Sequence, residues 1–340
     1  MQKIAAVLCE KIAEDIGTVS CKEVDLADPG AGEIQVRLKA CAVNFPDILM
    51  IQGKYQFKPP MPFSPGGEAS GEVVALGAGV TEFREGDAVV LGMRYGGFAE
   101  AINVTVDKAR PLPKGMDYAK AASYQTAYLT AYVALRRRGN LESGETLLVH
   151  GATGGVGMAA VDLGKHFGAT VIGTGGRDDK LAVVKRMGAD HVINYSQTNG
   201  TLGGFREEVK TLTDGRGADV IYDPVGGDVF DESMRCINWG GRILTIGFTS
   251  GRWPQAPVNL ILIKQIAVIG VRAGEYGRRD PVRGRENSDA LYAMAERGQI
   301  DPHISHAMPL EKAVEAMRLL ENREVIGKAV VTMNGWSRDN

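Results

Sequence analysis

The chain has 340 residues, a net charge of −2 and 44% hydrophobic residues. This length predicts two domains, and the balanced charge gives no electrostatic reason to expect nucleic acid or an anionic membrane as a partner. No apolar run reaches the roughly 18 residues of a membrane span. The cysteines Cys9, Cys21, Cys41 and Cys236 are scattered without a CxxC pair, which predicts free thiols and a cytoplasmic protein.

The first part of the chain, to about residue 107, has the pattern of a β-rich domain. The stretch EIQVRLKA at 33–40 alternates strictly, which predicts a strand with one buried and one solvated face. Its apolar face is Ile34, Val36, Leu38 and Ala40, and its polar face is Glu33, Gln35, Arg37 and Lys39. Further strands bounded by glycine follow in GEVVALGAGV and GDAVVLG, as in a compact barrel-like domain.

From about Thr126, apolar strands alternate with helical segments. The strands are TLLVH, TVIGT, HVINY, ADVIYD and RILTIG, and the helices between them are GMAAVDLGKHF, DDKLAVVKRM, FREEVKTLT and DVFDESMRCI. This alternation predicts an α/β domain with a doubly wound parallel sheet. Beyond Gly270 come two amphipathic helices, ENSDALYAMAERG and LEKAVEAMRLLEN, and a last strand, GKAVVTM. The apolar stretch QIAVIGV, at 265–271, is predicted to form a strand at the edge of this sheet. Because an exposed edge strand can pair with a second subunit, we predict a homodimer.

The stretch HGATGGVG, residues 150–157, follows the predicted strand 146–150 and precedes a helix predicted from about Gly155. A helix that starts there directs unpaired N–H groups and its positive dipole end at the turn, which suits a pyrophosphate. Gly154 lets the backbone approach the phosphates, Gly157 lets the helix pack closely on the strand, and Ala152 replaces the first glycine of the usual pattern. The sequence therefore predicts a dinucleotide cradle made of Thr153, Gly154, Gly155, Val156 and Gly157.

The tip of the next strand decides between NADH and NADPH. Sites for NADH usually carry an acidic residue there, which binds the ribose 2′-hydroxyl. Here the sequence VIGTGGRDDK, residues 171–180, has glycines at the tip and two cations just beyond them. This pattern favours a 2′-phosphate and hence NADPH, while Asp178 and Asp179 stay within reach of a ribose. The residues predicted for this end of the cofactor are Thr174, Gly175, Gly176, Arg177 and Lys180.

Ordered motifs along nearly the whole chain resemble a known family. They are AVNFPDILMIQGKY (42–55), FSPGGEASGEVVALGAGV (63–80), AYLTAYVAL (127–135), HGATGGVG (150–157), VINY (192–195), YDPVGG (222–227) and GKAVV (327–331). The chain resembles the zinc-independent quinone oxidoreductase, or zeta-crystallin-like, branch of the medium-chain dehydrogenase/reductase superfamily. The resemblance implies a GroES-like catalytic domain formed by 1–125 and 266–340, and an inserted Rossmann domain at 126–265 with the cofactor in the cleft.

The same resemblance implies roles for single residues. It puts Asn44 near the nicotinamide ribose and Tyr55 at the substrate end. There the Tyr55 hydroxyl donates to the substrate carbonyl or enolate, or its ring only packs against neighbouring sequence; both readings stay open. The further cofactor contacts implied by similarity are Thr130, Phe248 and Gly270–Val271 at the nicotinamide, Tyr195 with Lys180 at the 2′-phosphate, and also Gly247 and Arg323.

The residue chemistry at the metal position of the superfamily predicts metal-independent chemistry. Zinc alcohol dehydrogenases hold the catalytic ion with a cysteine and a histidine where this chain has Asn44 and Gly67. Glu68 remains, but one carboxylate does not make a three-ligand zinc site. We interpret Cys41 as a structural residue on the polar face of a strand. Surface or helix-end roles are expected for the histidines, which are His150, His166, His191, His303 and His306.

Without a Lewis acid, hydride transfer to an already electrophilic carbonyl system needs the least help. The predicted reaction is therefore NADPH-dependent reduction of a quinone or an α,β-unsaturated carbonyl compound. Two other classes stay open. One is an enoyl thioester reductase in which Arg94, Arg272 or the RRRG at 136–139 binds a CoA phosphate. The other is a non-catalytic NADPH-binding structural protein, like the lens crystallins of this family.

Overall fold

The computed structural model describes residues 1–196 and 204–336, and its contacts divide the chain into two units. The first unit contains Met1–Gln125, Ala295–Gly298 and the described residues from Pro302 onwards. The second unit contains the described residues between Thr126 and Met294, together with Gln299–Asp301. The first unit is thus built from both ends of the chain, with the second inserted between them in sequence.

The strands are β1 (Gln2–Leu8), β2 (Ser20–Leu26), β3 (Glu33–Ala42), β4 (Glu68–Leu76), β5 (Ala88–Gly92), β6 (Ala101–Thr105), β7 (Ala109–Pro111), β8 (Thr146–Val149), β9 (Thr170–Gly175), β10 (His191–Asn194), β11 (Ala218–Asp223), β12 (Ile237–Thr245), β13 (Ala267–Gly270), β14 (Ile304–Pro309) and β15 (Lys328–Thr332). The α-helices are α1 (Phe45–Ile51), α2 (Tyr118–Tyr132), α3 (Gly155–His166), α4 (Asp178–Arg186), α5 (Phe205–Leu212), α6 (Gly227–Cys236), α7 (Val258–Lys264), α8 (Ala273–Arg279), α9 (Pro281–Glu296) and α10 (Ala313–Glu321).

The first unit is built on a sheet in which β3 is central. The strand order is β14-β15-β3-β4-β5-β7, β6 also pairs with β3, and β1 pairs with β2 separately. The apolar face of β3 is buried as its alternation predicts. Gln35, predicted on the solvated face, is buried instead, because its Nε2 donates to Ala27 O at 3.2 Å and to Asn103 Oδ1 at 3.1 Å. A satisfied amide can thus be buried on the polar side of a strand.

Cys41 is a second exception on β3. It was expected on a polar face but is fully buried, because β15 and β4 pair on either side of this end of the strand. Burial raises the pKa of its thiol well above the ordinary value, so the group stays neutral. All four cysteines are free thiols. No helix in the described part of the chain is long and apolar enough to cross a membrane.

The second unit carries the predicted doubly wound sheet. Its strand order is β10-β9-β8-β11-β12-β13, and the strands are parallel throughout. Counted within this unit the order is 3-2-1-4-5-6, that of a dinucleotide-binding Rossmann sheet. Among the described strands β13 is the last in this order, which confirms the sheet-edge position predicted for QIAVIGV. Because β13 pairs with β12, the sheet extends past the predicted boundary at residue 265, and the second unit as a whole continues to Met294.

Candidate cofactor site and active site

The glycine turn after β8 lies where the strand order of the sheet reverses, between β8 and β11. The loops that leave these two strands adjoin: a Cβ built on Gly151 would lie 3.3 Å from Pro224 Cγ and 3.4 Å from Val225 Cγ2. Ligands of doubly wound sheets bind in the crevice at this switch point. The predicted cradle therefore occupies the position in the fold at which a dinucleotide binds.

Two glycines of the cradle have different structural roles. A Cβ on Gly157 would lie 2.2 Å from Gly151 O, a backbone atom that cannot move aside, so this glycine sets how closely α3 packs on β8. A Cβ on Gly154 would meet nothing closer than 3.5 Å, so it would fill only the space in front of the first turn of α3. That space faces the helix N-terminus, where backbone N–H groups donate hydrogen bonds to phosphate oxygens. The turn therefore fits a dinucleotide pyrophosphate.

His150 and Thr174 lie beneath the cradle, and both are fully buried. Burial corrects the surface role expected for the histidine, whereas the cofactor contact of Thr174 stays a prediction. The imidazole bridges two hydroxyls, with Nδ1 2.8 Å from Thr174 Oγ1 and Nε2 2.8 Å from Ser233 Oγ. Because Ser233 donates its only proton to Val229 O at 2.7 Å, Nε2–H donates to Ser233 and Nδ1 accepts from Thr174. Burial lowers the pKa of His150 to about 3, so the ring is neutral.

The tip of β9 brings together several residues predicted for the 2′-phosphate. A Cβ on Gly176 would lie 2.6 Å from Ser196 Oγ and 3.9 Å from Tyr195 Cε2, so these two side chains flank the tip. Tyr195 N also donates to Gly175 O at 3.0 Å. Lys180, in the first turn of α4, is only 5% exposed and is thus less available to a phosphate than the sequence suggested.

The two acidic residues within reach of a ribose already have hydrogen-bond partners. Asp178 Oδ1 accepts from Asn194 Nδ2 at 2.7 Å. The Asp179 carboxylate binds the Arg177 guanidinium at 3.0 Å and 2.6 Å, and Arg177 lowers the pKa of Asp179. Both partners of this ion pair are exposed, so the pair is weak in water and exchangeable for a phosphate.

Three residues predicted to contact the cofactor follow the carboxyl ends of β12 and β13, the same edge of the sheet as the cradle. Gly247 lies near the loop after β11, since its Cβ would be 3.4 Å from Pro224 O. Phe248 is exposed, whereas Val271 is nearly buried. The two remaining residues are described by their own surroundings. Thr130 Oγ1 donates to Thr126 O within α2 at 2.8 Å, and Arg323 is an exposed residue of the first unit with a left-handed φ of 57°.

In the first unit, Asn44 belongs to a closed hydrogen-bonded network. Asn44 Nδ2 donates to Glu68 Oε1 at 3.0 Å, and Lys328 Nζ donates to Asn44 Oδ1 at 2.6 Å and to Glu68 Oε1 at 3.0 Å. Glu68 and Lys328 are buried, and Asn44 is half-buried. Asn44 is therefore the member of the network that is open to other molecules, and the ion pair lies beneath it.

Asp47 holds the backbone around this network. Its Oδ2 accepts from Asn44 N at 2.8 Å and its Oδ1 from Gly66 N at 3.0 Å, which ties the start of α1 to the turn before β4. Burial raises the pKa of this carboxyl to about 6, although both backbone donors oppose the shift. Tyr55, in a bend beyond the end of α1, packs its half-buried ring against the core of the first unit. This agrees with the packing role left open for Tyr55 and leaves the hydroxyl role as a proposal.

The residues around Glu68 do not fit a zinc ion. A catalytic zinc needs three protein ligands and an open position, but an ammonium group lies 3.0 Å from the carboxylate, where a metal would have to bind. In the described ranges, no three or more His, Cys, Asp or Glu side chains are arranged so that they could hold a metal ion. We therefore derive no step through a metal.

Sequence reasoning missed Lys328 as a site residue, although GKAVV was noted as a motif. The sequence pointed to it only indirectly. Glu68 lies among small uncharged residues at the start of a predicted strand, and a carboxylate that is buried there needs a cationic partner. The arginines considered for a CoA phosphate have other contacts. Arg136 stacks on the Phe167 ring at 4.9 Å, Arg137 binds Glu286 at 2.8 Å, and Arg94 lies 4.5 Å over the ring of Phe57.

A β-rich unit made from both ends of the chain, with a Rossmann sheet inserted between them in sequence, defines the medium-chain dehydrogenase/reductase architecture. Family profiles agree: residues 30–114 match the alcohol dehydrogenase GroES-like domain and residues 155–284 match the zinc-binding dehydrogenase family. The chain therefore has the two domains of a nicotinamide-dependent oxidoreductase.

Comparison with individual proteins narrows the class. The chain is 38% identical to quinone oxidoreductase-like protein 2 homolog of Nematostella vectensis, covering 96% of this chain and 88% of that one. It is 34% identical to quinone oxidoreductase of Pseudomonas aeruginosa, covering 90% and 92%. The Escherichia coli quinone oxidoreductase in complex with NADPH superposes with a TM-score of 0.84 at 30% identity, covering 97% and 100%. The chain belongs to the zinc-independent, zeta-crystallin-like branch of the medium-chain dehydrogenase/reductase superfamily.

Proposed function

We propose that the protein uses NADPH to reduce a quinone or an α,β-unsaturated carbonyl compound. The observation that carries this proposal is the Asn44–Glu68–Lys328 network, whose residues do not fit a catalytic zinc ion. Without a Lewis acid an alcohol is hard to deprotonate, so the favoured substrates are those that accept a hydride unaided. The relatives named quinone oxidoreductase support the same substrate class.

The chain's own residues then have two tasks, to bind the cofactor and to stabilise developing negative charge. The cradle at Gly154 and the N-terminus of α3 bind the pyrophosphate. When bound, NADPH supplies the hydride for the reduction. As hydride reaches the β-carbon of an enone, negative charge develops on the carbonyl oxygen, and a hydrogen-bond donor such as the Tyr55 hydroxyl stabilises it. A proton from water then completes the reduction.

We further propose that the cofactor is NADPH rather than NADH. Arg177 and Tyr195 lie at the tip of β9, and both aspartates there have partners within the chain. The 2′-phosphate would displace Asp179 from Arg177, exchanging a weak exposed ion pair for charge-assisted hydrogen bonds. The complex of the Escherichia coli relative with NADPH supports this choice.

The cofactor proposal is tested with Arg177→Ala and its mirror, Asp179→Asn. Arg177→Ala removes one charge-assisted contact, worth about 1.4 kcal/mol net. The affinity for NADPH should therefore fall roughly tenfold, while the affinity for NADH stays unchanged. Asp179→Asn should raise the affinity for NADPH, because its carboxylate no longer competes with the 2′-phosphate for Arg177. Fluorescence titration gives all the dissociation constants. Arg186→Ala, an exposed arginine at the other end of α4, is the matched control. Equal effects on NADPH and NADH would contradict the proposal.

The reaction is tested by following NADPH oxidation with three acceptor classes: 1,4-quinones, enones such as 2-alkenals, and enoyl-CoA thioesters. We expect turnover with quinones or enones that neither a chelator nor added zinc changes. Turnover with enoyl-CoA alone would favour the thioester reductase reading. Tight NADPH binding without turnover of any acceptor would favour the non-catalytic one.

A further inference from the structure

The buried ion pair beneath Asn44 calls for an explanation beyond stability. Glu68 is 0% exposed and Lys328 is 6% exposed. Taking two opposite charges out of water often costs as much free energy as their attraction returns, so a buried ion pair is weak evidence of a stabilising role. Two apolar side chains would fill the same volume of the core without that cost.

The geometry shows what the pair does to its neighbour. An ammonium group only donates hydrogen bonds, and an ionised carboxylate only accepts them. Lys328 therefore requires the Asn44 oxygen on its side, and Glu68 requires the Asn44 amide nitrogen on the other. The bond between Lys328 Nζ and Glu68 Oε1 closes the triangle. If the Asn44 amide flipped, its NH2 group would face the Lys328 ammonium and its oxygen would face the Glu68 carboxylate, so neither hydrogen bond could form.

The charged and titratable groups around the triangle leave this arrangement intact. Lys328 Nζ also donates to Val43 O at 3.4 Å, on the backbone beside Asn44. The Asp47 carboxylate accepts from the backbone N–H of Asn44, and in the same capping box the backbone N–H of Asp47 faces the Asn44 side chain, which favours the same position of the amide oxygen. Cys41 is a buried neutral thiol. The side-chain bonds that orient the amide are thus those to Lys328 and Glu68.

We propose that Lys328 and Glu68 are positioning residues that fix the orientation of the Asn44 amide. One N–H of Asn44 is committed to Glu68, and the pair determines the direction of the other. This inference rests on the proposed function for its catalytic consequence, and on the network alone for the orientation of the amide.

The orientation is tested without turnover. In protein labelled with 15N-asparagine, the Asn44 side-chain signals are identified by their loss in Asn44→Ala. Lys328→Met alone would leave Glu68 charged and unpaired, so the test variant is the neutral double substitution K328M/E68Q. We expect its Asn44 amide signals to shift and to exchange with solvent faster than in the wild-type protein. Unchanged Asn44 signals in this variant would overturn the inference.

The catalytic consequence is tested with a mutant cycle on quinone reduction by NADPH. We expect K328M/E68Q to lower kcat at least tenfold while the KM for the quinone changes less than threefold. In the Asn44→Ala background the same two substitutions should change kcat less than twofold, because they act through Asn44. Effects that multiply independently would overturn the inference. A purely structural role, which would also overturn it, would lower the unfolding midpoint of K328M/E68Q and leave the kcat of the folded fraction unchanged.

A matched control and a separate failure mode complete the design. Lys165 pairs with Asp190 at 2.8 Å in the second unit, so K165M/D190N removes an ion pair away from the network and should leave kcat unchanged. If the wild-type protein neither binds NADPH nor reduces any acceptor, the proposed function fails. The 15N signals of Asn44 then decide the orientation by themselves.

Discussion

At the scale of single residues, the polar groups buried near the two sites determine what those sites can do. His150 is an example, because its ring joins the end of β8 to Thr174 on β9 and Ser233 on α6 directly below the glycine turn. Both ring nitrogens are engaged, and burial makes the protonated form unfavourable. The cradle thus rests on a side chain that must stay neutral.

Replacing His150 with leucine should lower stability in a pH-dependent way. At pH 7 we expect a loss of about 2–4 kcal/mol in the free energy of unfolding, because Thr174 and Ser233 each lose a partner. The folded pKa is about 3, so between about pH 6.5 and pH 3 the unfolded state binds more protons and stability falls as the pH falls. Between pH 7 and pH 5, His150 should lower the free energy of unfolding of the wild-type protein by about 2 kcal/mol. The leucine variant has no imidazole at this position and lacks this loss.

Urea unfolding of both proteins at pH 7 and pH 5 measures this difference. Burial raises the pKa values of Asp47 and Asp223 to about 6, so the folded state binds more protons at these groups between about pH 4 and pH 6. Their contribution to stability therefore falls as the pH rises through that window. It is present in both proteins and cancels in the comparison. Parallel stability curves for the two proteins would show that His150 does not titrate as proposed.

At the scale of secondary-structure elements, the sequence predicted the inserted sheet well and the short elements poorly. Strands β8 to β12 and helices α3 to α6 follow the predicted alternation, because each has its own apolar period and a glycine or polar boundary. The sequence did not show α7, α8 or β14, which have six or seven residues each. Tertiary pairing rather than local pattern stabilises elements of that length.

Of the two candidate sites, one was predictable from the sequence and the other was not. The cradle was predictable because Gly154 and Gly157 lie in one short turn whose neighbours on both sides are recognisable. The Asn44–Glu68–Lys328 network was not, since its members come from distant parts of the sequence and meet only when β15 pairs with β3. Alternation along a buried parallel strand does not tell which face a side chain takes, so the bond between the Thr174 hydroxyl and His150 was not predictable either.

The two glycines of the α3 cradle provide a matched pair of substitutions. Gly157→Ala forces a Cβ to within 2.2 Å of Gly151 O, so α3 must move away from β8, and we expect a lower unfolding midpoint together with weaker NADPH binding. Gly154→Ala meets no atom closer than 3.5 Å, so the fold should be unchanged while the methyl group obstructs the pyrophosphate. Thermal unfolding and fluorescence titration of both variants separate the two effects. Normal NADPH affinity in Gly154→Ala would place the pyrophosphate elsewhere.

At the scale of the whole molecule, the edge of the second unit's sheet is open for pairing. Within the described part of the chain β13 has a strand partner on one side only. The helix that leads into it, α7, exposes Leu262 and Ile263 by 77% and 69%. An edge strand can pair with the same strand of a second copy around a twofold axis, and exposed apolar side chains beside it favour such an interface. We propose that the protein is a homodimer that pairs through β13.

Light scattering coupled to size-exclusion chromatography tests the dimer at micromolar concentration. The wild-type protein should have twice the chain mass of 36.4 kDa. The double substitution L262D/I263D places two carboxylates beside β13, where an interface would desolvate them, and should shift the mass to that of one chain. Val282→Asp alters an equally exposed apolar residue, on α9, and should leave the mass unchanged. A single-chain mass for the wild-type protein would contradict the dimer, and a dimer that persists in L262D/I263D would place its interface away from β13.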